Sequence, residues 1–283
     1  MNVNHIPKQI SEDIPKCVAR ALQEDLGSGD ITAELIPASK QATGRVICRD
    51  RAVICGRPWV DEVFKQLDSD TSIDWHIEEG DWVAPNQPLF SISGRARVLL
   101  TGERCALNFL QTLSGTATTA RDYAKLTENT DIQILDTRKT IPGLRLAQKY
   151  AVLVGGCFNH RIGLYDAFLI KENHIIACGG IAQAVAKARK IAPSKKLEVE
   201  VESLPELQQA VDAGADIVML DNFSSDQLQE LENVDLGETK IEVSGNITED
   251  SIAQYLQSSV NFISSGSLTK HIGAIDLSMR LNI

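Results

Sequence analysis

Residues 197–223 read LEVEVESLPELQQAVDAGADIVMLDNF, and their pattern decides the fold class. Residues 197–201 form an apolar β-type run, 204–213 have helical periodicity, and 216–220 form a second apolar run. Strand, helix and strand in such close succession give parallel pairing with a right-handed crossover. The same alternation extends to both sides. Apolar runs recur at 132–135, 167–170, 240–243 and 260–263, with helical stretches at 181–191, 226–233 and 248–256. Six such units, spaced mostly by about 20–35 residues, suit a barrel-like α/β arrangement; an open doubly wound sheet is the alternative from pattern alone.

Upstream of residue 115 the pattern changes. An amphipathic helix over 14–24 has Ile14, Cys17, Val18, Ala21 and Leu22 on one face. Short strands follow at 44–49, 52–55, 73–77 and 87–92, separated by Gly, Pro, Asp and Asn. Residues 98–113 read as an apolar-rich helix that includes Arg104 and continues through 121–126. The expected organisation is an N-terminal domain over 1–115, a catalytic barrel domain over 116–270, and a closing segment, 271–283, packed back on the first domain.

Polar residues gather where the barrel strands end. Asp136, Arg138 and Lys139 follow the first run, and Lys171 and Glu172 the second. Glu200 and Glu202 belong to the third, Asp221 and Asn222 to the fourth, and Ser244-Gly245 and Ser265-Gly266 to the last two. Sites in parallel α/β folds are built at the carboxyl ends of strands. Cations, carboxylates and small turns therefore converge on one mouth.

Each cluster has a chemistry and a bland alternative. In DTRKTIPGLR (136–145), adjacent Arg138 and Lys139 need an anion or solvent to face. The arginine fork suits a carboxylate, the lysine acts as a mobile point charge, and Thr137 and Thr140 add hydroxyl donors. NHRIGLYDAFLIKENH (159–174) supplies His160, Arg161, Lys171 and His174. Alternation sets Glu198, Glu200 and Glu202 on one side of a strand, where buried carboxylates need cations or a metal-bound substrate. Asp221, ending the next strand, can share that role, and two such carboxylates fit a magnesium–pyrophosphate substrate. Ser244-Gly245-Asn246 and Ser265-Gly266-Ser267, each expected to lead into a helix, let backbone N–H groups approach a phosphate. A solvated loop and a lysine–glutamate salt-bridge network are the structural alternatives.

Bulk properties narrow the partners. A net charge of −10 disfavours nucleic acid and anionic membranes, yet residues 137–171 carry six Lys or Arg plus His160 against Asp166 alone. That is either a pocket for a small polyanion or a solvated basic face. Six scattered cysteines without a CxxC pair read as buried thiols, and no HExxH spacing occurs, so neither a transition metal nor an organic prosthetic group is expected. No apolar run reaches membrane-spanning length. The opening MNVNHIPKQISEDIP has no basic-then-apolar pattern, which makes the expected location cytoplasmic.

Seven segments carry a resemblance over essentially the full length: EDLGSGDIT (24–32), GERCALN (102–108), DTRKTIPGLR, GGCFNHRIGLYDAFLIKENH (155–174), LEVEVES (197–203), AGADIVMLDNF (213–223) and EVSGNI (242–247). Through them the chain resembles the quinolinate phosphoribosyltransferase family. The resemblance implies an N-terminal open-faced α/β sandwich and an incomplete, six-stranded or so, α/β barrel of TIM type in an intertwined homodimer. It implies phosphoribosyl transfer from phosphoribosyl pyrophosphate to quinolinate with decarboxylation, giving nicotinate mononucleotide. Arg104 would reach the partner subunit's pocket and, with Arg138, Lys139, His160, Arg161 and Lys171, hold carboxylates and phosphates. Glu200 and Asp221 would bind the ribose and its Mg2+, and Ser244, Gly245 and Gly266 the 5′-phosphate, beside Ser265. Lys139, Glu200 and Asp221 are the candidate catalytic residues, Lys139 as the group that protonates the ring.

Two rivals stand beside this reading. A paralogous phosphoribosyltransferase of the same fold would take another anionic acceptor, although the cation set suits a dicarboxylate better. The stretch IEEGDWVAPNQPLFSISG (77–94) resembles a lipoyl- or biotin-carrier hairpin, but it has no lysine to modify.

Overall fold

The computed structural model describes residues 6–283; the first five, part of the stretch read for an export signal, lie outside the described residues. The chain folds as two compact units. One takes the chain up to Arg121 together with Ile141–Gly156 and His271–Ile283, and the other takes Asp122–Thr140 and Cys157–Lys270.

The first unit is a sheet with one face covered by helices. Helix α1 (Lys8–Leu26) buries Ile10, Ile14, Cys17, Val18 and Leu22, a helical stripe longer than the segment expected from sequence. Strands β1 (Gln41–Cys48) and β2 (Ala52–Val53) lead to helix α2 (Arg57–Leu67). Strands β3 (Ser72–Trp75), β4 (Trp82–Val83) and β5 (Gln87–Arg95) then lead to helix α3 (Ala96–Leu126). Helix α4 (Arg145–Gly155) also belongs here, as does the C-terminal strand β12 (Leu277–Asn282). The main sheet is antiparallel in the order β12-β1-β5-β3. Along β1, buried Ala42, Val46 and Cys48 alternate with exposed Thr43 and Arg45, so one face meets the core and the other is open. That core includes Trp59, Phe64, Leu99, Leu110, Leu113 and Tyr150. Helices α3 and α4 approach closely at Gly155, where a Cβ would fall 2.6 Å from the Ala117 carbonyl oxygen. The carrier-like stretch contributes β4, paired with β2, and β5, which lies inside the main sheet.

The second unit is all-parallel. Its strands are β6 (Gln133–Leu135), β7 (Phe168–Ile170), β8 (Leu197–Val201), β9 (Ile217–Asp221), β10 (Lys240–Ser244) and β11 (Phe262–Ser264). They pair in the order β6-β11-β10-β9-β8-β7, and β6 and β7 remain separate edges, as in an incomplete barrel. Helices α5 (Glu172–Cys178), α6 (Ile181–Ile191), α7 (Leu204–Asp212) and α8 (Ser225–Glu230) lie between them, and α9 (Ser267–Lys270) follows β11. The helix expected over 248–256 is absent; only a 3-10 turn, Ile252–Tyr255, forms there. Ser251 accepts from Thr248 N–H at 2.9 Å, a side-chain bond of the kind that starts a helix, but only this one 3-10 turn follows it. Gly245 therefore opens a turn and not a helix, whereas Gly266 does precede α9. No helix of the described residues is long and apolar enough to cross a membrane.

Candidate active site

Strand register decides what shares a face. Glu200 pairs with Met219 and Met219 with Glu242, while Asp221 pairs with Ser244. Residues two apart on a strand point the same way. Glu198, Glu200, Asp221, Glu242 and Ser244 therefore line one side of the sheet, Glu198 and Glu242 deep and the rest towards the carboxyl ends. Glu202 lies beyond β8, exposed, with its N–H donating to Glu206.

At the rim, the Lys171 ammonium donates to Glu200. Asp221 is half-buried and accepts from Asn222 Nδ2 at 3.0 Å. Its pKa is raised by burial first and by the Glu200 charge second, with Lys171 and Lys139 opposing. Two carboxylates that destabilise each other at adjacent strand ends are a donor set suited to magnesium, which takes a few carboxylates plus water and phosphate oxygens. Beside them, Gly245 has φ +113°, and a Cβ there would lie 2.9 Å from the Asn222 carboxamide carbon. Only glycine lets that loop pass so close.

The loop after β6 brings the cations in. Arg138 and Lys139 are exposed, and Lys139 N–H donates to Thr137 Oγ1 at 3.1 Å. A Cβ on Gly266 would lie 2.8 Å from Lys139 Cδ, so the lysine stem crosses the Gly266 backbone. Thr269 Oγ1 donates to the Lys139 carbonyl at 2.9 Å and ties α9 to this loop. The Ser265 hydroxyl is buried and donates to the Ile247 carbonyl at 2.7 Å, so this side chain braces the last two strand ends.

Arg161 is the most constrained cation. Its guanidinium reaches the Ala167 carbonyl at 3.3 Å. Burial, then the neighbouring Arg138, lower its pKa, and Glu198, Asp166 and Glu200 oppose them. A cation opposed by the charge of a second one favours an anion between the two. The preceding residue is fixed from below: fully buried Asp136 accepts from His160 N–H at 2.9 Å and from Asn159 Nδ2 at 2.7 Å. His160 Nε2 lies 2.9 Å from Glu198 and 3.5 Å from Glu242, and its Nδ1 accepts from Arg161 N–H at 2.8 Å.

Glu198 and Glu242 form a buried acidic pair. Desolvation raises the Glu198 pKa to about 7. Desolvation and then the Glu198 charge raise that of Glu242 to about 8. Both shifts favour a proton shared by the pair, which two unfolded glutamates would have lost. With a raised carboxyl pKa, stability is complete below the unfolded value and is lost as pH rises through the folded one. Glu242→Gln removes that titration. Its melting temperature relative to wild type should therefore climb from about pH 5 to about pH 8 in calorimetry; a difference that stays flat would refute the shared proton. Donor atoms of His160, Glu198 and Glu242 lie within 4.8 Å of one another, a spacing a small metal ion could also use.

The unit thus assembles Thr137, Arg138, Lys139, His160, Arg161, Lys171, Glu200, Asp221, Ser244, Gly245, Ser265 and Gly266 at or beneath one set of strand ends. Arg104 belongs to the other unit, exposed on α3, with no ion-pair partner among the described residues. His174 Nδ1 accepts from Lys171 N–H at 3.0 Å and caps α5. Sequence reasoning gave no role to Glu242 or to Asp136 as an anchor; the available signal was a carboxylate inside an otherwise apolar strand run.

Comparison with known proteins agrees over both units. The model of the quinolinate phosphoribosyl transferase N-terminal domain matches residues 30–114, and that of the C-terminal domain matches 116–280. A nicotinate-nucleotide pyrophosphorylase (carboxylating) of Mycobacterium leprae is 37% identical over 93% of this chain and 95% of its own. The structure of the nicotinate-nucleotide pyrophosphorylase from Francisella tularensis superposes with a TM-score of 0.93 at 47% identity, covering 100% of this chain and 99% of that one. That from Ehrlichia chaffeensis gives 0.89 at 32% identity, covering 94% and 98%. The chain belongs to the quinolinate phosphoribosyl transferase family.

Proposed function

We propose that this chain is a decarboxylating quinolinate phosphoribosyltransferase of NAD biosynthesis. It takes quinolinate and phosphoribosyl pyrophosphate and forms nicotinate mononucleotide, pyrophosphate and carbon dioxide. The observation that carries the reading is the gathering of Arg138, Lys139, Arg161 and Lys171 with the Glu200 and Asp221 carboxylates at one set of parallel strand ends. A multiply charged aromatic acid satisfies the cations, and a ribose bearing developing positive charge satisfies the carboxylates.

The steps follow from this arrangement. Arg138, Arg161 and Lys171 hold the quinolinate carboxylates and orient the ring, and the turns at Ser244-Gly245 and Gly266 hold the 5′-phosphate. Glu200 and Asp221 would hold Mg2+, which supplies positive charge next to the departing pyrophosphate. The pyridine nitrogen forms a bond to the anomeric carbon as the bond to pyrophosphate breaks. The cationic ring then loses its 2-carboxylate as carbon dioxide, and the electron pair left at that carbon takes a proton, for which the Lys139 ammonium is the assigned donor. No covalent enzyme intermediate is needed, so positioning and electrostatics supply the rate.

Purified protein supplied with quinolinate, phosphoribosyl pyrophosphate and magnesium should release nicotinate mononucleotide and carbon dioxide, and should make none from nicotinate. Absence of product from quinolinate in a folded protein would overturn the assignment. The location we propose is the cytoplasm, where six free cysteines, five of them buried, remain reduced.

The working form we propose is a homodimer in which Arg104 completes the partner's pocket. Arg104→Ala and Arg138→Ala should each be nearly inactive alone. Mixed and reassembled, half the dimers would be heterodimers with one intact site in two, restoring about a quarter of wild-type activity. No recovery in mixtures shown by mass spectrometry to exchange subunits would exclude the shared site.

A further inference from the structure

Glu242 is fully buried at the centre of β10, and apart from Glu198 and the Ser264 hydroxyl its carboxylate oxygens have no hydrogen-bond partner. Nothing in the proposed reaction requires a carboxylate there, and its depth keeps it from any ligand at the strand ends. A buried ionisable group in such a place is costly unless it organises its neighbours.

Its neighbours point to one task. His160 receives a backbone N–H from Arg161 on Nδ1, so that nitrogen is an acceptor and the ring proton sits on Nε2. Nε2 points at Glu198 and Glu242, at 2.9 and 3.5 Å. The peptide N–H of His160 is fixed separately by Asp136. The ring is therefore clamped from two sides, and the Arg161 backbone is clamped by the ring. A change in ring orientation or tautomer would release the Arg161 N–H and with it the approach of the guanidinium to the acceptor site.

We infer that Glu242, acting through Glu198, is a positioning residue that fixes the Nε2–H tautomer of His160 and thereby aims Arg161 at the acceptor. The inference rests on the proposed quinolinate site for its kinetic consequence, and on geometry alone for the tautomer. Glu242→Gln can still fill the position, because its amide donates to Glu198 where the shared proton did and its carbonyl still faces Nε2. Glu242→Leu cannot, and leaves Glu198 against an apolar side chain.

The test has two independent readouts. Long-range 15N–1H spectra, with His160 assigned by its disappearance in His160→Gln, should find the proton on Nε2 in wild type and in Glu242→Gln, and a mixed or reversed population in Glu242→Leu. Steady-state kinetics should find the quinolinate KM raised by about tenfold in Glu242→Leu, with that for phosphoribosyl pyrophosphate within about twofold, and both within about threefold in Glu242→Gln. A wild-type His160 protonated on Nδ1 would overturn the inference, whether or not Glu242→Leu folds. So would a Glu242→Gln as impaired for quinolinate as the leucine variant, or a metal ion retained by wild type and lost from it. An inert wild-type protein would sink the proposed reaction instead, and the spectra would still decide what Glu242 does.

Discussion

Arg138→Ala should lower kcat/KM for quinolinate by about 10²–10³-fold, equivalent to about 3–4 kcal/mol of lost transition-state binding. The size follows from the arginine's task. A planar guanidinium facing a carboxylate makes two charge-assisted bonds of about 1.5–3 kcal/mol each, and part of that is recovered by water in the variant. Arg138→Lys should restore only a small part, since an ammonium cannot present the same fork. Stability should move the other way. Burial first and then the Arg138 charge lower the pKa of Arg161, so removing Arg138 relieves a like-charge repulsion, and the melting temperature should be unchanged or higher. Binding of phosphoribosyl pyrophosphate, measured by calorimetry, should stay within about threefold. An alanine variant within threefold of wild type would remove Arg138 from the acceptor site.

Much of this arrangement was legible in the sequence because parallel strands announce themselves twice. Their interiors are apolar on both faces, and their carboxyl ends collect whatever chemistry the fold performs. Runs such as LEVEV and IVMLD fall on β8 and β9, and the carboxylates at their carboxyl ends, Glu200 and Asp221, stand at the rim. The cationic loop was readable for a similar reason, since Arg138-Lys139 beside a strand has few structural uses. What was hidden depends on closure in three dimensions. Strand β12 joins β1 across most of the chain, a pairing no local pattern encodes. Ser265 reads as a phosphate turn but points its hydroxyl at Ile247, because the loop after the neighbouring strand brings a carbonyl within hydrogen-bond reach. Glu242 looks like an interruption of an apolar run until the curved sheet brings His160 over it. The stretch from Thr248 has helical spacing and a helix-starting bond at Ser251, yet it ends after one 3-10 turn.

The opposite side of the site predicts the other large effect. Changing Glu200→Gln and Asp221→Asn together should reduce kcat by about 10³-fold or more while leaving quinolinate binding within about threefold, since losing one such electrostatic stabiliser typically removes 10²–10³-fold. The carboxylates sit at adjacent strand ends, and burial first, then the Glu200 charge, raise the Asp221 pKa against the opposing Lys171 and Lys139. A fold keeps that cost where positive charge arrives during the reaction. Here the cationic candidates are the ribose carbon as pyrophosphate departs and the Mg2+ that accompanies it. The single variants separate these contributions. Glu200→Gln also frees the Lys171 ammonium from its ion pair, so its loss should be the smaller and be accompanied by tighter quinolinate binding. Asp221→Asn has no such compensation. In both, the magnesium concentration for half-maximal rate should rise, because each carboxylate oxygen removed weakens a hard-cation site. If the double variant kept more than a tenth of wild-type kcat, or lost quinolinate binding as well, the carboxylates would belong to the framework that holds Lys171 and not to the phosphoribosyl side of the reaction.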